Sequence, residues 1–321
     1  MNTQPIEYME PFGRAWNRMK DLLFRPFDLG RWIAIGFTAW LATLTEGGGG
    51  GNFNLPMDSK HELKQLGTFV HQHLAAIIIG ATLLLLVCFL LRLVLSWLSA
   101  RGKFMFLDNA LTNQAAIAEP WRRWRTQGNS LFWWDFVFGF VLLALVLVLG
   151  GLCVALAWPD IHLKVFRGYA IAAIVLGFLL LLPFSVLFGY ILVFLHDFVV
   201  PLMRKHDLKT NAAWRRFLPL LRANVGAFLL YGLVRFAVSL VLGMALVTVG
   251  CLACLFTCGC AGCLLAMPFI GTVIILPVVA WERYWGPEFL RQFGPEFDVW
   301  CTPPPAVPEA PAPVIAVPVT P

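Results

Sequence analysis

Five of the chain's eight cysteines, Cys251, Cys254, Cys258, Cys260 and Cys263, fall within thirteen residues. Thiols at that density hold zinc or an iron–sulfur cluster when several thiolates converge where their charge is compensated. The stretch CLACLFTCGCAGC contains no charged or imidazole residue, so thiolates there would stand uncompensated. Cys251, Cys254 and Cys258 follow i, i+3, i+7 spacing and make one helical stripe, and Cys260 and Cys263 repeat the i, i+3 step after Gly259. As thiols, the two sets are small apolar residues packed across a glycine turn; in an oxidising outer compartment they are candidates for a disulfide. The solvent around them decides, and that depends on the elements that carry them.

Charged side chains inside apolar runs are the second chemical feature, because such charges are costly and are paired or functional. Arg92, Asp135 and Arg235 are three such residues. At 1.5 Å per residue, Arg92 and Asp135 reach a similar depth, about 8–10 Å from the inner boundary, with Arg235 slightly deeper. One arrangement pairs Asp135 with Arg92 or Arg235. The other lets both arginines snorkel to inner-leaflet phosphates while Asp135 sits among the headgroups.

Asp108, Asp197 and Glu282 each follow an apolar run. A helix carboxyl end disfavours negative charge, so a compensating arginine is expected beside each. Arg18, Arg123 and Arg216 recur in a shared Trp-x-Arg-apolar pattern and are the candidates for an inner-face ring of acid-to-arginine contacts. Metal chemistry has little to build on: only His71, His73 and His162 can converge on the outer face, short of a convincing zinc set. No phosphate-binding glycine loop, His-Glu-x-x-His or Gly-x-Ser-x-Gly motif occurs, so neither catalytic residues nor a cofactor is expected.

The elements that position these groups are membrane helices. Fifty-nine per cent of residues are hydrophobic and 13% charged, against about a quarter charged in soluble domains. Apolar runs at about 30–45, 74–99, 131–157, 169–195, 226–250 and 260–281 read as six spans. Segments 1–31, 101–125, 204–222 and 283–291 hold eighteen of the twenty-four Lys and Arg residues. Cytoplasmic loops retain positive charge, so both termini are expected in the cytoplasm and the net charge of +6 needs no nucleic acid. The first twenty-eight residues lack a signal-peptide apolar core, so the amino terminus is expected to be retained.

Trp16-x-Arg18, Trp121-x-Arg123 and Trp214-x-Arg216 each precede a span, which suggests three tandem units, each a leading helix plus a helical hairpin. The expected fold is therefore all-α: six transmembrane helices as three hairpins, each preceded by an interfacial amphipathic helix. Residues 1–28 give the clearest such helix, placed to lay an aromatic face at the acyl boundary and arginines at anionic phospholipid headgroups. Residues 283–300 read as an aromatic interfacial segment, and 301–321, with eight prolines between 302 and 321, as an extended tail. On the fourth span Ala173 with Gly177, and Ser185 with Gly189, offer small faces for helix contact, with Pro183 between them.

The segments RPFDLGRWIAIGF (25–37), HDFVVPLM (196–203), AAWRRF (212–217) and ILPVVAWERYWGPEFLRQFGPEF (275–297) resemble an uncharacterised group of bacterial multi-pass proteins related to the membrane domain fused to some glycerophosphodiester phosphodiesterases. The resemblance implies an integral membrane accessory role. Phosphodiesterase activity is not expected to carry over, because no catalytic domain is expected after residue 300. The expected function is that of a non-enzymatic inner-membrane scaffold, lipid-interacting module or accessory subunit whose partner is the lipid bilayer. The alternative is a small-solute or ion transporter using Arg92, Asp135 and Arg235.

Overall fold

The computed structural model describes residues 6–45, 73–163, 165 and 167–300, and every regular element among them is helical. Helices α1 (Glu10–Phe24) and α2 (Leu29–Thr43) come first, followed by α3 (Leu74–Thr112), a short α4 (Ala118–Arg123) and α5 (Arg125–His162). The run Gly168–His206 consists of α6 (Gly168–Phe194), a π turn (Leu195–Val199) and α7 (Val200–His206). Helices α8 (Thr210–Ala223), α9 (Val225–Phe256), α10 (Cys260–Ala266), α11 (Pro268–Ile274) and α12 (Leu276–Leu290) follow, then a 3-10 turn at Arg291–Phe293.

Among the described residues, four helical runs are long and apolar enough to cross a membrane: α3, α5, Gly168–His206 and α9. The 39 residues of α3 extend about 58 Å, against about 30 Å of hydrocarbon. The helix therefore meets two environments. From Leu74 to Val94 its large apolar side chains are mostly exposed on every side, whereas Ser99 to Ala110 are continuously buried. An all-round apolar surface suits lipid, and the buried end belongs to a protein body.

Two of the six expected spans are not single membrane-length helices. Helix α2 has 15 residues, about 22 Å. The stretch 260–281 is divided among α10, α11 and α12, and prolines account for the breaks. Pro268 forces Met267 into an extended conformation (ψ 119°). Pro277 has no N–H for the Val273 carbonyl, which instead accepts the indole N–H of Trp32 on α2 at 3.1 Å. Neighbours in sequence pack in pairs, α2 along α3, α5 along α6 and α9 on α10, and α2 also packs against α11. Gly102 permits the α2–α3 crossing: a Cβ there would stand 2.6 Å from the Ala42 backbone nitrogen. The Ala173–Gly177 face of α6 does pack, with Gly177 against Cys153 of α5, whereas Gly189 has open space beside it.

The body is built on aromatic rings. Phe104, Phe198, Phe217, Phe228 and Phe289 are fully buried in one cluster. Met19, Ile35, Phe106, Tyr284 and Trp285 are buried in a second. Each such side chain contributes about 1.5–3 kcal/mol relative to exposure. Helix α1 turns Ala15, Met19, Leu22 and Leu23 into this second cluster and lies along α12. Its apolar stripe is thus covered by protein, with Phe12 edge-on to Trp285 at 4.4 Å. Tyr284 to Leu290, read from sequence as part of an interfacial segment, are all buried. Burial also pushes the Tyr284 phenol above its ordinary pKa, an effect that Arg18 opposes.

Candidate functional site

The centre of the body is set by Pro201. Lacking an N–H, Pro201 cannot donate to the carbonyl of Asp197 four residues before it, and its ring would crowd that carbonyl in a regular helix. The chain widens into the π turn Leu195–Val199, the kind of local bulge that re-aims side chains. The Asp197 carbonyl then lies against Gly286 of α12, so close that a Cβ on that residue would overlap it.

The redirected Asp197 carboxylate, 5% exposed, accepts a hydrogen bond from the Tyr231 hydroxyl at 2.9 Å and from Arg235 Nε at 3.3 Å, both at Oδ2. Arg235 Nη1 donates to Glu282 Oε1 at 3.0 Å and to Ser239 Oγ at 2.5 Å, while Ser239 donates to the same Glu282 oxygen at 3.1 Å. Trp285 lies beneath the guanidinium, 4.5 Å from its centroid. Tyr231, Arg235 and Ser239 are four residues apart along one face of α9, and Glu282 and Trp285 share a face of α12. The cluster therefore joins the π turn, α9 and α12. Beside it is a cavity of ≈ 350 Å³ that also reaches Thr43 of α2, His196 and Arg283, with Leu192, Val193 and Phe236 among its apolar walls. His196 Nε2 stands 2.8 Å from Nζ of buried Lys103.

Two further ion-pair groups hold the outer parts of the body. Glu288, fully buried, accepts from Arg14 at 3.0 Å and from Arg18, which ties α1 to α12. Arg18 also lies over Trp300, 3.6 Å from its centroid. Asp108 of α3 is gripped by Arg204 of α7 through Nε at 2.9 Å and Nη2 at 2.8 Å.

The three acids Asp108, Asp197 and Glu282 each lie beside an arginine, but the partners are Arg204 and Arg235. Arg18 goes to Glu288, Arg216 to Glu296 at 2.6 Å, and Arg123 lies over Trp124. Of the charges expected inside the membrane, Arg235 is drawn into the central cluster, while Arg92 is exposed on α3. Asp135 is part-buried on α5 and lies outside the lining of the Arg235 cavity. Sequence reading missed Tyr231, Ser239, Trp285, Glu288 and Arg204; the four-residue spacing of Tyr231, Arg235 and Ser239 was the available clue.

Cys251, Cys254, Cys258, Cys260 and Cys263 are free thiols around the α9–α10 turn. Cys258 (φ 50°) and Gly259 (φ 90°) both adopt left-handed backbone there. Gly262 of α10 is packed against the Cys254 sulfur of α9 across the turn. Among the described residues no three His, Cys, Asp or Glu side chains are grouped to hold a metal ion. His71 lies outside the described residues.

No curated protein and no solved structure matches the chain. A family of unknown function (DUF7544) matches residues 8–299, and the chain belongs to that family.

Proposed function

We propose that the chain is a non-enzymatic, multi-pass protein of the bacterial inner membrane, acting as a scaffold or accessory subunit in contact with lipid headgroups. The carrying observation is that Arg235 is satisfied internally, by Asp197, Glu282, Ser239 and the Trp285 ring. A charge so committed ties helices together and is not free to pass a solute. The exposed apolar length of the four span-length helices supports a bilayer setting. The concentration of Lys and Arg toward the body supports a cytoplasmic body and cytoplasmic termini. The likeness to the membrane domain of glycerophosphodiester phosphodiesterases is part of this reading, as an accessory role without the activity.

A second reading, transport of a small solute or ion, is favoured by the cavity that Asp197, Arg235 and Glu282 share. Purified protein in sealed proteoliposomes distinguishes the two. The scaffold reading expects carbonate-resistant membrane association and ion and small-solute fluxes equal to those of protein-free vesicles. A flux abolished by Arg235→Gln in a folded variant would overturn it.

A further inference from the structure

On α5, Arg125, Asn129, Trp133, Val137 and Val141 recur every fourth residue and line one groove of ≈ 920 Å³. Leu187 and Phe188 of α6 form its far wall, and Lys209 and Asn211, at the start of α8, stand at its polar end. The chemistry changes once along the groove, from cationic and amide side chains to aromatic and aliphatic ones. From Asn129 to Val141 is about 18 Å along the helix, and one leaflet of hydrocarbon is about 15 Å deep. The groove is therefore as long as one acyl chain's path to the bilayer centre.

Its polar end is positively charged and lacks acids. Arg125 and Lys209 contribute two cations, no carboxylate lines the groove, and among the described residues neither cation is ion-paired. Asp207, two residues before Lys209, keeps its charge but lies outside the lining, where it accepts the Gln127 amide N–H. Asn129 is held through Oδ1 by Trp97 at 3.1 Å and Arg101 at 3.0 Å, which leaves its amide nitrogen as a donor. Ser130 binds the Thr210 hydroxyl and backbone N–H, both at 3.1 Å, and so fixes the start of α8 against α5.

We propose that this groove binds one anionic glycerophospholipid. Its phosphate sits between Arg125 and Lys209, and an acyl chain lies along Trp133, Val137 and Val141 against Leu187. The proposal deepens the reading of the chain as a bilayer-embedded module and rests on it.

The test is native mass spectrometry of the full chain, released from mixed phosphatidylglycerol and phosphatidylcholine nanodiscs. Phosphatidylglycerol is expected to be retained preferentially, and Arg125→Gln with Lys209→Gln is expected to lower that preference about tenfold. Arg122→Gln with Arg123→Gln, which removes equal charge from exposed positions outside the groove, is expected to change it less than about twofold. Val141→Trp, which fills the tail end, is expected to reduce retention of both lipids. An equal loss of preference in the Arg122/Arg123 control would overturn the site in favour of diffuse charge. Displacement by glycerol phosphate alone would overturn it in favour of a soluble anion. A wild-type protein that inserts into membranes yet shows no preference sinks only the groove, whereas failure to insert sinks the parent reading as well.

Discussion

Arg235 Nε lies 3.3 Å from Asp197 Oδ2, and the two residues come from a membrane-length helix and from the π turn that interrupts another. The guanidinium also holds Glu282 at 3.0 Å, so one cation serves two carboxylates. Removing the cation should therefore cost more than removing either acid. Arg235→Gln is expected to destabilise by about 3–5 kcal/mol, as for other buried pairs broken on one side. Glu282→Gln should cost least, because its side chain is 28% exposed while that of Asp197 is 6% exposed. Thermal unfolding in detergent checks the order.

Glu288 links α1 to the body through Arg14 and Arg18 while being fully buried itself. Glu288→Gln leaves part-buried Arg18 short of a counter-charge and Arg14 with Glu10 of its own helix alone, so α1 should loosen before the rest unfolds. Limited trypsin digestion is expected to cut after Arg14, Arg18 or Lys20 several-fold faster than in the unaltered protein. An unchanged rate would mean that Met19, Leu22 and Leu23 hold α1 by packing alone.

The close approach of α12 to the π turn depends on Gly286. Gly286→Ala places a methyl against the Asp197 carbonyl and should destabilise by about 1–3 kcal/mol. Gly139→Ala, on α5 where a Cβ meets nothing within 4 Å, is the matched control. It should be neutral or stabilising by up to about 1 kcal/mol, because alanine is the better helix former. Unfolding of the two variants under identical conditions gives the comparison.

Cys251, Cys254, Cys258, Cys260 and Cys263 are thiols in the structure. A membrane-permeant maleimide should label all five without reductant. Labelling that rises only after reductant would instead show a disulfide across the Gly259 turn.

The span-length helices were legible because apolar composition over twenty or more residues has few other uses. The interruption at 260–281 was legible in part, since Pro268 and Pro277 are plain in the sequence; hydropathy averages over them, whereas the backbone cannot. The acids Asp108, Asp197 and Glu282 were found because charge beside an apolar run needs compensation. Their partners were not, since Arg204 and Arg235 meet them through tertiary packing. Glu288 was one charge in a segment read as interfacial, and only the burial of Trp285 and Phe289 beside it shows why two arginines converge there. The π turn was the least legible element: Pro201 announces a break, but the π geometry depends on the space that Gly286 leaves.

A double-mutant cycle between Arg235 and Asp197 tests most directly whether this pair ties the body together. The account predicts that the double variant Arg235→Gln, Asp197→Asn is no less stable than Arg235→Gln alone, so that the coupling equals the whole cost of Asp197→Asn alone, about 2 kcal/mol. Losses that simply add would contradict it, and would remove the ground for treating Arg235 as a structural tie.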